Sequence, residues 1–503
     1  MTSSEKIRPI EEVARAVARL RAEGKRIVYT HGAFDLLHIG HIRHLRQARE
    51  MGDVLVVTIV PDRFMTRGDH RPAFVEGYRA EAVASLEFVD FVALSTELTA
   101  EHALRHLRPH VFAKGSEFRN KDVDHLESQA VTEVGGSYAF TQDVAFNSTQ
   151  VINQYLSGLP KEIDEYLSLF RERYRRDDVL SVLDRLSSLR VLVIGDAILD
   201  DYQYCRAIGK SSKDPVLALQ YLSNDVFAGG ILAVANHVAG FAKDVRLFTV
   251  VGERDNPEHI IRDQLLPNVS MHGAVQLNAP TIVKRRFLDT HTLNKLFEVY
   301  VMDDSGLSAE ADAKFCEQLK QELPNYDVVI AADYGHGAIS RDAVTTLSEH
   351  ARFLAVNTQA NAGNRGFHTI SRYPRADFGC IAEHELKLEL RDSSSPLRTM
   401  IGIVGRNLNC KDFIVTLGRK GCAIWNRSDT FVEVPPFAQT IVDRVGAGDA
   451  FLSVTALASA LNVEPELIGF IGNAVGALAV EVVGNRKSVD RASVRRLITS
   501  LMG

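Results

Sequence analysis

The chain is 503 residues long, 46% hydrophobic and 24% charged, with a formal net charge of −6. That length exceeds one ordinary hydrophobic core and predicts two or three domains, while the composition excludes disordered and fibrous classes. The acidic balance leaves no basic footprint for nucleic acid, and no run of about 18 apolar residues is present to span a bilayer.

Residues 1–25 carry a helical pattern (IEEVARAVARLRAEG) that ends at Gly24, as a C-terminal glycine would end it. RIVYTHGAFD follows as a short strand running into a turn, HIRHLRQAREMG as a helix, LVVTIV as a buried strand and RAEAVASLEFV as another helix. DFVALS and VFAKGS are further strands. This alternation predicts an α/β domain over residues 26–157, a Rossmann-like parallel sheet with helices on both faces. Residues 158–188 are charged and helical without a strand signal, which reads as a helical linker or bracket. A second α/β pattern opens at LRVLVIGDAILDDY and runs through VRLFTVVG, YDVVIAADYG, ARFLAVNT and DFIVTLG to a glycine-rich turn at Asp443–Asp449. Residues 189–503 fit one large α/β domain.

The N-terminus MTSSEKIRPIEEVARA lacks the apolar stretch of a secretory signal. Cys205, Cys316, Cys380, Cys410 and Cys422 are scattered and lack metal-ligand spacing. Reduced thiols in a cytoplasmic protein, with no membrane or nucleic-acid partner, are the expectation.

The segment THGAFDLLHIGH places Gly32, Phe34 and Asp35 at the end of a strand, and His38 and His41 at the start of a helix. Open parallel sheets bind ligands there, beyond the carboxyl ends of their strands. Gly32 and Gly40 leave room for phosphates, and the helix N-terminus adds free N–H groups. Two imidazoles three residues apart share one helical face, so both can donate to one triphosphate as pyrophosphate departs. An isolated H-x-x-H is more often an ordinary pair of histidines; the full string GxFDxxHxGH between a strand and a helix argues for a site.

That string resembles the cytidylyltransferase-like nucleotidyltransferase superfamily over about residues 25–156. Within it, the likeness is to the adenylyltransferase domain of bifunctional heptose-phosphate kinase/adenylyltransferases, carried by RGDHRP (Arg67–Pro72), Arg79, AKGSEF around Lys114, and FNSTQVIN (Phe146–Asn153). The resemblance implies that His38 and His41 bind the triphosphate of ATP or CTP, and that Gly32, Phe34 and Asp35 shape the nucleotide pocket. Lys114 and Gly115 would sit beside the base or sugar, and Ser148 and Thr149 would cap a helix and hold phosphate. Arg67 and Arg79 would ligate phosphate, although arginines more often pair with a carboxylate or water.

In the second block, DRVGAGDAF sets Gly446, Ala447 and Gly448 directly before Asp449, ahead of an apolar helix. Small residues at a helix N-terminus expose consecutive N–H groups as an anion hole, and Asp449 stands where it could deprotonate an attacking hydroxyl. Alone, GAGD is also a common glycine-rich turn. The block resembles the ribokinase-like (PfkB) carbohydrate kinases over about residues 188–500. The resemblance implies Asp449 as catalytic base and Gly446–Gly448 as the anion hole. It places Asp196 or Asp200, with Gly229 and Gly230, at the sugar, Gly418 and Asn473 at ATP, and Glu385 indirectly at Mg2+. It is also compatible with a homodimer.

The departures from that pattern are specific. Arg444 stands where the family often has Thr. The family's sugar-binding Asn falls on Ala233 unless Asn236 replaces it. Asn-x-x-Glu appears as Ala382-Glu383-His384-Glu385, and Asp-Pro-Lys as Asn357-Thr358-Gln359. The order, nucleotidyltransferase before kinase, is the reverse of that in the heptose enzymes. Two functions follow as expectations. One is a bifunctional sugar (phosphate) kinase and sugar-1-phosphate nucleotidyltransferase making an ADP-heptose-like nucleotide sugar. The other is an active nucleotidyltransferase fused to a degenerate kinase that serves as a ligand-binding or dimerisation module.

Overall fold

A computed structural model describes residues 3–65, 72, 74–97, 99–115, 125–141, 160–254, 258–290 and 292–503. The chain divides into two compact units, parting between Gly158 and Leu159. Among the described residues, no helix is long and apolar enough to cross a membrane. All five cysteines are buried and none forms a disulfide.

The first unit is a five-stranded sheet of β1 (Ile27–Gly32), β2 (Val54–Ile59), β3 (Phe91–Leu94), β4 (Val111–Lys114) and β5 (Ser137–Phe140). Its order is β3-β2-β1-β4-β5 with every pair parallel. Strands covered on both faces must be apolar nearly throughout, and β2 is buried along its whole length. Successive residues of β1 serve opposite cores: Tyr29 packs with Ile10, Val13 and Phe112, and Val28 packs with Leu45 and Val83. The strand order reverses between β1 and β4, which opens a crevice at their carboxyl ends.

The second unit is built on a long strand, β6 (Arg190–Lys210), that belongs to two sheets. Its first part lies in a main sheet between β8 (Asp244–Gly252) and β12 (Val328–Asp333), parallel to both. Beyond β8 lies β9 (Val269–Gln276). Beyond β12 follow β13 (Leu354–Thr358), β14 (Phe378–Ala382) and β15 (Asp412–Thr416), all parallel. The antiparallel β16 (Cys422–Asn426) and β17 (Phe431–Val434) end that side. From Ala197 onward β6 enters a smaller sheet, antiparallel to β7 (Leu217–Gly230) and parallel to β10 (Ile282–Asp289). The antiparallel β11 (Lys295–Val301) closes that sheet.

The helices Lys161–Arg173 and Arg176–Leu186 occupy the segment expected as a linker, and they pack into the core of this unit. The Phe170 ring stacks on Phe470 with centroids 4.1 Å apart. Arg173 pairs with Glu466 at 2.8 Å, and Arg171 donates from Nε to the Leu501 carbonyl at 3.1 Å. Their apolar stripes, Leu167 and Phe170 on one helix and Val179 and Leu183 on the other, have no exposed surface.

Candidate active sites

In the first unit, β1 delivers Gly32 to the crevice, where its carbonyl accepts from Val60 N–H at 3.0 Å. Phe34 and Leu36 hold positive φ (47° and 52°), so the loop turns tightly between β1 and the helix Ile39–Glu50. Asp35 is buried and accepts from Phe74 N–H at 3.2 Å, which ties this loop to the segment before the helix Glu76–Ala84. His38 is the N-cap of its helix: its Nδ1 accepts from Gly40 N–H at 3.1 Å. One turn on, His41 stacks on His38 with ring centroids 3.9 Å apart and meets the Phe34 edge at 5.2 Å.

Burial, then the neighbouring His38 and His44, push His41 down to about 3, and burial also lowers His38. Both shifts favour the neutral ring. A triphosphate bound beside them would favour the charged forms and draw both into donation.

Lys114 ends β4 across the switch point, with Gly115 after it. Its ammonium is paired with the buried Glu127, which also accepts from Ala100 N–H at 3.1 Å. Glu127 carries no motif in the sequence; only the fold brings it to Lys114. Arg79, expected at phosphate, is committed to the protein itself. Its guanidinium is buried, donates to the carbonyls of Phe74 (2.9 Å), Ala33 and Val60 (2.8 Å), and pairs with Asp62 at 2.6 Å. It positions the loop carrying Phe34 and Asp35. Ser148, Thr149 and Arg67 lie outside the described residues.

In the second unit, Gly446 caps the helix Ala447–Ala460 at φ +83°, a conformation costly for any residue with a Cβ; a Cβ here would also strike Asn485. A Cβ on Gly448 would meet nothing within 4 Å, so this side of the helix N-terminus is open. Ala447 and Gly448 lie in the first turn, whose N–H groups have no partner within the helix.

Asp449 follows in the same turn and accepts from the Tyr334 hydroxyl at 2.8 Å. Burial pushes its carboxyl up to about 7, against the opposing hydrogen bond from Tyr334; Asp200 adds to the rise. A carboxylate with that value is matched to general-base work near neutrality. Tyr334 has no sequence motif of its own, being part of the turn after β12.

Asp196 and Asp200 both lie on β6, one at the end of the main sheet and one in the small sheet. Asp196 is buried and accepts from Ala338 N–H (2.9 Å) and His336 N–H (3.3 Å); burial, with Asp333 nearby, pushes it up to about 6. Asp200 pairs with the buried Arg286 of β10. A Cβ at Gly229 would fall 2.4 Å from the Asp200 Oδ2, so the glycine leaves room for that carboxylate. Gly230 is the N-cap of the helix Ile231–Ala239.

Other residues of the expected set are committed to the protein itself. Asn473 donates to the carbonyls of Val434 and Pro435, each at 3.0 Å, and so pins β17. Glu385 accepts from Ala360 N–H (2.9 Å) and Ala382 N–H (2.7 Å), capping the helix Glu383–Leu390. Asn236, the alternative to the absent side chain at Ala233, donates to the Gln264 carbonyl at 2.8 Å and accepts from Leu266 N–H at 2.9 Å. Gly418 lies in an exposed turn after β15 with no atom near its Cβ position. A cavity of about 490 Å³ lined by Phe227, Gln264, Asn485 and Arg486 includes neither Asp449 nor Asp196. Among the described residues, no group of three or more His, Cys, Asp or Glu is arranged to hold a metal ion.

Two families match the chain. Residues 29–150 fit the cytidylyltransferase-like model and residues 188–492 the pfkB family carbohydrate kinase model. Curated relatives include a bifunctional protein HldE of Desulfatibacillum aliphaticivorans, 35% identical over 156 residues, which are 30% of this chain and 32% of the relative. Another, from Campylobacter fetus subsp. fetus, is 41% identical over 118 residues, 23% of this chain and 25% of the relative. The chain thus spans about a third or less of the length of these relatives. The fold is shared with phosphofructokinase-2 of Escherichia coli in complex with substrates and products, at TM-score 0.51 and 15% identity over 62% of this chain and 99% of that one. It is shared equally with a ribokinase-titled structure from Agrobacterium tumefaciens, at TM-score 0.50 and 16% identity over 62% of this chain and 98% of that one. With that match over residues 188–492, the chain belongs to the pfkB family of carbohydrate kinases, and it carries a cytidylyltransferase-like domain ahead of the kinase domain.

Proposed function

We propose that the chain phosphorylates a sugar or sugar phosphate in its second unit and, in its first, joins a sugar 1-phosphate to a nucleoside monophosphate. The product would be an ADP-heptose-like nucleotide sugar. The observation that carries the kinase half is Asp449, held by Tyr334 beside an open helix N-terminus with its carboxyl near neutrality.

Asp449 would take the proton of the acceptor hydroxyl as that oxygen attacks the γ-phosphorus of ATP. The N–H groups of the Gly446–Gly448 turn would hold the transferring phosphoryl, and ADP would leave. Asp196 and Asp200 would orient the acceptor. In the first unit a phosphate oxygen of the sugar phosphate would attack the α-phosphorus. His38 and His41 would then donate to the departing pyrophosphate. Mg2+ would neutralise phosphate charge in both reactions and be held mainly by phosphates and water, with Glu385 acting through water, as Mg2+ commonly is in phosphoryl-transfer sites.

A degenerate kinase is the second reading, supported by Ala233 and by Asn357, whose amide is committed to the Cys380 carbonyl at 2.7 Å. A homodimer through the small sheet is also proposed, since Tyr221, Leu217, Phe297 and Val299 are exposed there.

The test uses the whole chain, because a cut near residue 185 would strip Leu167 and Phe170 from the core. Sugars and sugar phosphates are screened with Mg-ATP for ADP release, beside Asp449→Asn. Sugar 1-phosphates are screened with ATP and CTP for pyrophosphate release, beside His38→Ala. Turnover abolished by each substitution supports the bifunctional reading. Silence in the first screen with pyrophosphate release in the second favours the degenerate kinase.

A further inference from the structure

The segment Gln359-Ala-Asn-Ala-Gly-Asn364 follows β13 and closes on itself through its two asparagines. Asn361 Oδ1 accepts from the N–H groups of Gly363 (2.9 Å) and Asn364 (3.1 Å). Asn364 Oδ1 accepts in return from Asn361 N–H and Gly366 N–H, each at 3.1 Å. Short amide side chains that take backbone N–H groups two or three residues away build turns in this manner. With both oxygens so used, the side-chain NH2 groups are left to donate elsewhere, and they converge on one atom. The Tyr334 carbonyl accepts from Asn361 Nδ2 at 2.7 Å and from Asn364 Nδ2 at 3.2 Å. Two donors fill the two lone pairs of that oxygen.

The residues on either side of Tyr334 are held by the same loop. Before it, the Asp333 carbonyl accepts from Gln359 N–H at 3.1 Å, and the Asp333 carboxylate meets His368 Nε2 at 2.6 Å. After it, Gly335 holds φ +74°, and a Cβ there would lie 3.0 Å from Asn364 Nδ2. Main chain fixed on both sides leaves the buried Tyr334 ring little freedom, and its hydroxyl ends 2.8 Å from Asp449. Beside its own burial, the groups acting on the Asp449 carboxyl are Tyr334, Asp200, Lys284 and Glu385. The loop touches two of them, Tyr334 through the asparagines and Glu385 through Ala360 N–H at 2.9 Å.

We propose that Asn361 and Asn364 are positioning residues for the kinase reaction, holding the Tyr334 carbonyl so that the Tyr334 hydroxyl is set on Asp449. The inference rests on the reading of Asp449 as general base and deepens it. It gives a task to the loop that begins where Asn357-Thr358-Gln359 departs from the expected Asp-Pro-Lys. A base is effective only while its partners keep it in line with the attacking hydroxyl, and bonds one layer out supply that constraint.

The experiment uses the whole chain, with Asn361→Asp and Asn361→Ala each made in wild type and in Tyr334→Phe. Asn361→Asp keeps the acceptor oxygen of the turn and loses the donor to Tyr334, at the expense of a new charge. Asn361→Ala loses the donor without a charge, so a change common to both variants marks the donor. In wild type both should lower kcat for the acceptor about tenfold and leave the KM of ATP unchanged. Both should also move the ascending limb of kcat/KM to higher pH, and Asn364→Asp should act in the same direction. In Tyr334→Phe, which has no hydroxyl to place, the common change should vanish. An unmoved limb, or a common loss of equal size in both backgrounds, would overturn the proposal and leave the asparagines as turn formers. The Asp449 titration is also read without turnover, from the melting temperature of each protein against its Asp449→Asn counterpart between about pH 4 and pH 9. The pH at which that difference levels off should rise in both Asn361 variants only where Tyr334 is present, and an unchanged value would equally overturn the proposal. Should no acceptor be phosphorylated by any of these proteins, the kinase reading fails, and the melting series alone decides the positioning role.

Discussion

The Tyr334 hydroxyl donates to Asp449 at 2.8 Å, joining the turn after β12 to the first turn of the helix Ala447–Ala460. Burial raises the Asp449 carboxyl to about 7 and this hydrogen bond opposes the rise. The base is active when ionised, so kcat/KM for the kinase should climb through pH of about 7. Tyr334→Phe removes a stabiliser of the carboxylate and should move that limb to higher pH. A pH–rate profile of both proteins checks the direction, and an unmoved limb would assign the titration to another group.

The same shift has a consequence for stability. A carboxyl raised in the fold contributes stability below its unfolded value and loses it as pH rises through about 7. Asp449→Asn should therefore melt above wild type, by a margin that widens from about pH 4 to pH 7. Paired melting curves across that range provide the check.

Gly229→Ala should impair acceptor binding while sparing ATP. The new Cβ would fall 2.4 Å from the Asp200 Oδ2 and push that carboxylate away from Arg286. A tenfold or larger rise in acceptor KM, about 1.4 kcal/mol, is expected. An equal rise for both substrates would place the damage elsewhere.

His38→Ala and His41→Ala should each slow pyrophosphate release about 10²- to 10³-fold, the scale of losing one donor to developing charge. Kinase turnover in the same preparations should be unchanged.

Arg79→Ala should act through folding. Removing the guanidinium leaves Asp62 and the carbonyls of Phe74, Ala33 and Val60 without their donor, at a cost of about 3 kcal/mol. Urea unfolding followed by a probe in the first unit measures it. Unchanged stability with a higher KM for nucleotide would restore the arginine as a phosphate ligand.

Much of this architecture was legible before any coordinates. Strands buried on both faces must be nearly all apolar, so β1, β2, β3, β4, β6, β8, β12, β13 and β15 stand out as apolar runs. The small residues of GAGD and the histidines of GxFDxxHxGH mark helix N-termini because phosphate chemistry requires backbone access there. The strands β7, β10 and β11 were not legible. β10 reads IVKRRFLD, with charged residues at inward positions, and β7 and β11 are largely exposed. Nor could periodicity reveal that Arg79 is enclosed by four acceptors or that Lys114 meets Glu127. Local sequence determines which segments form strands and helices and where their N–H groups end unpaired. Only the tertiary structure decides which buried charge faces which: Asp200 meets Arg286 across strands 86 residues apart in the chain, while Lys284, beside Asp200 in register, makes no direct ion pair among the described residues. Pairing across that separation depends on strand register and burial, and neither is encoded in the spacing of nearby residues.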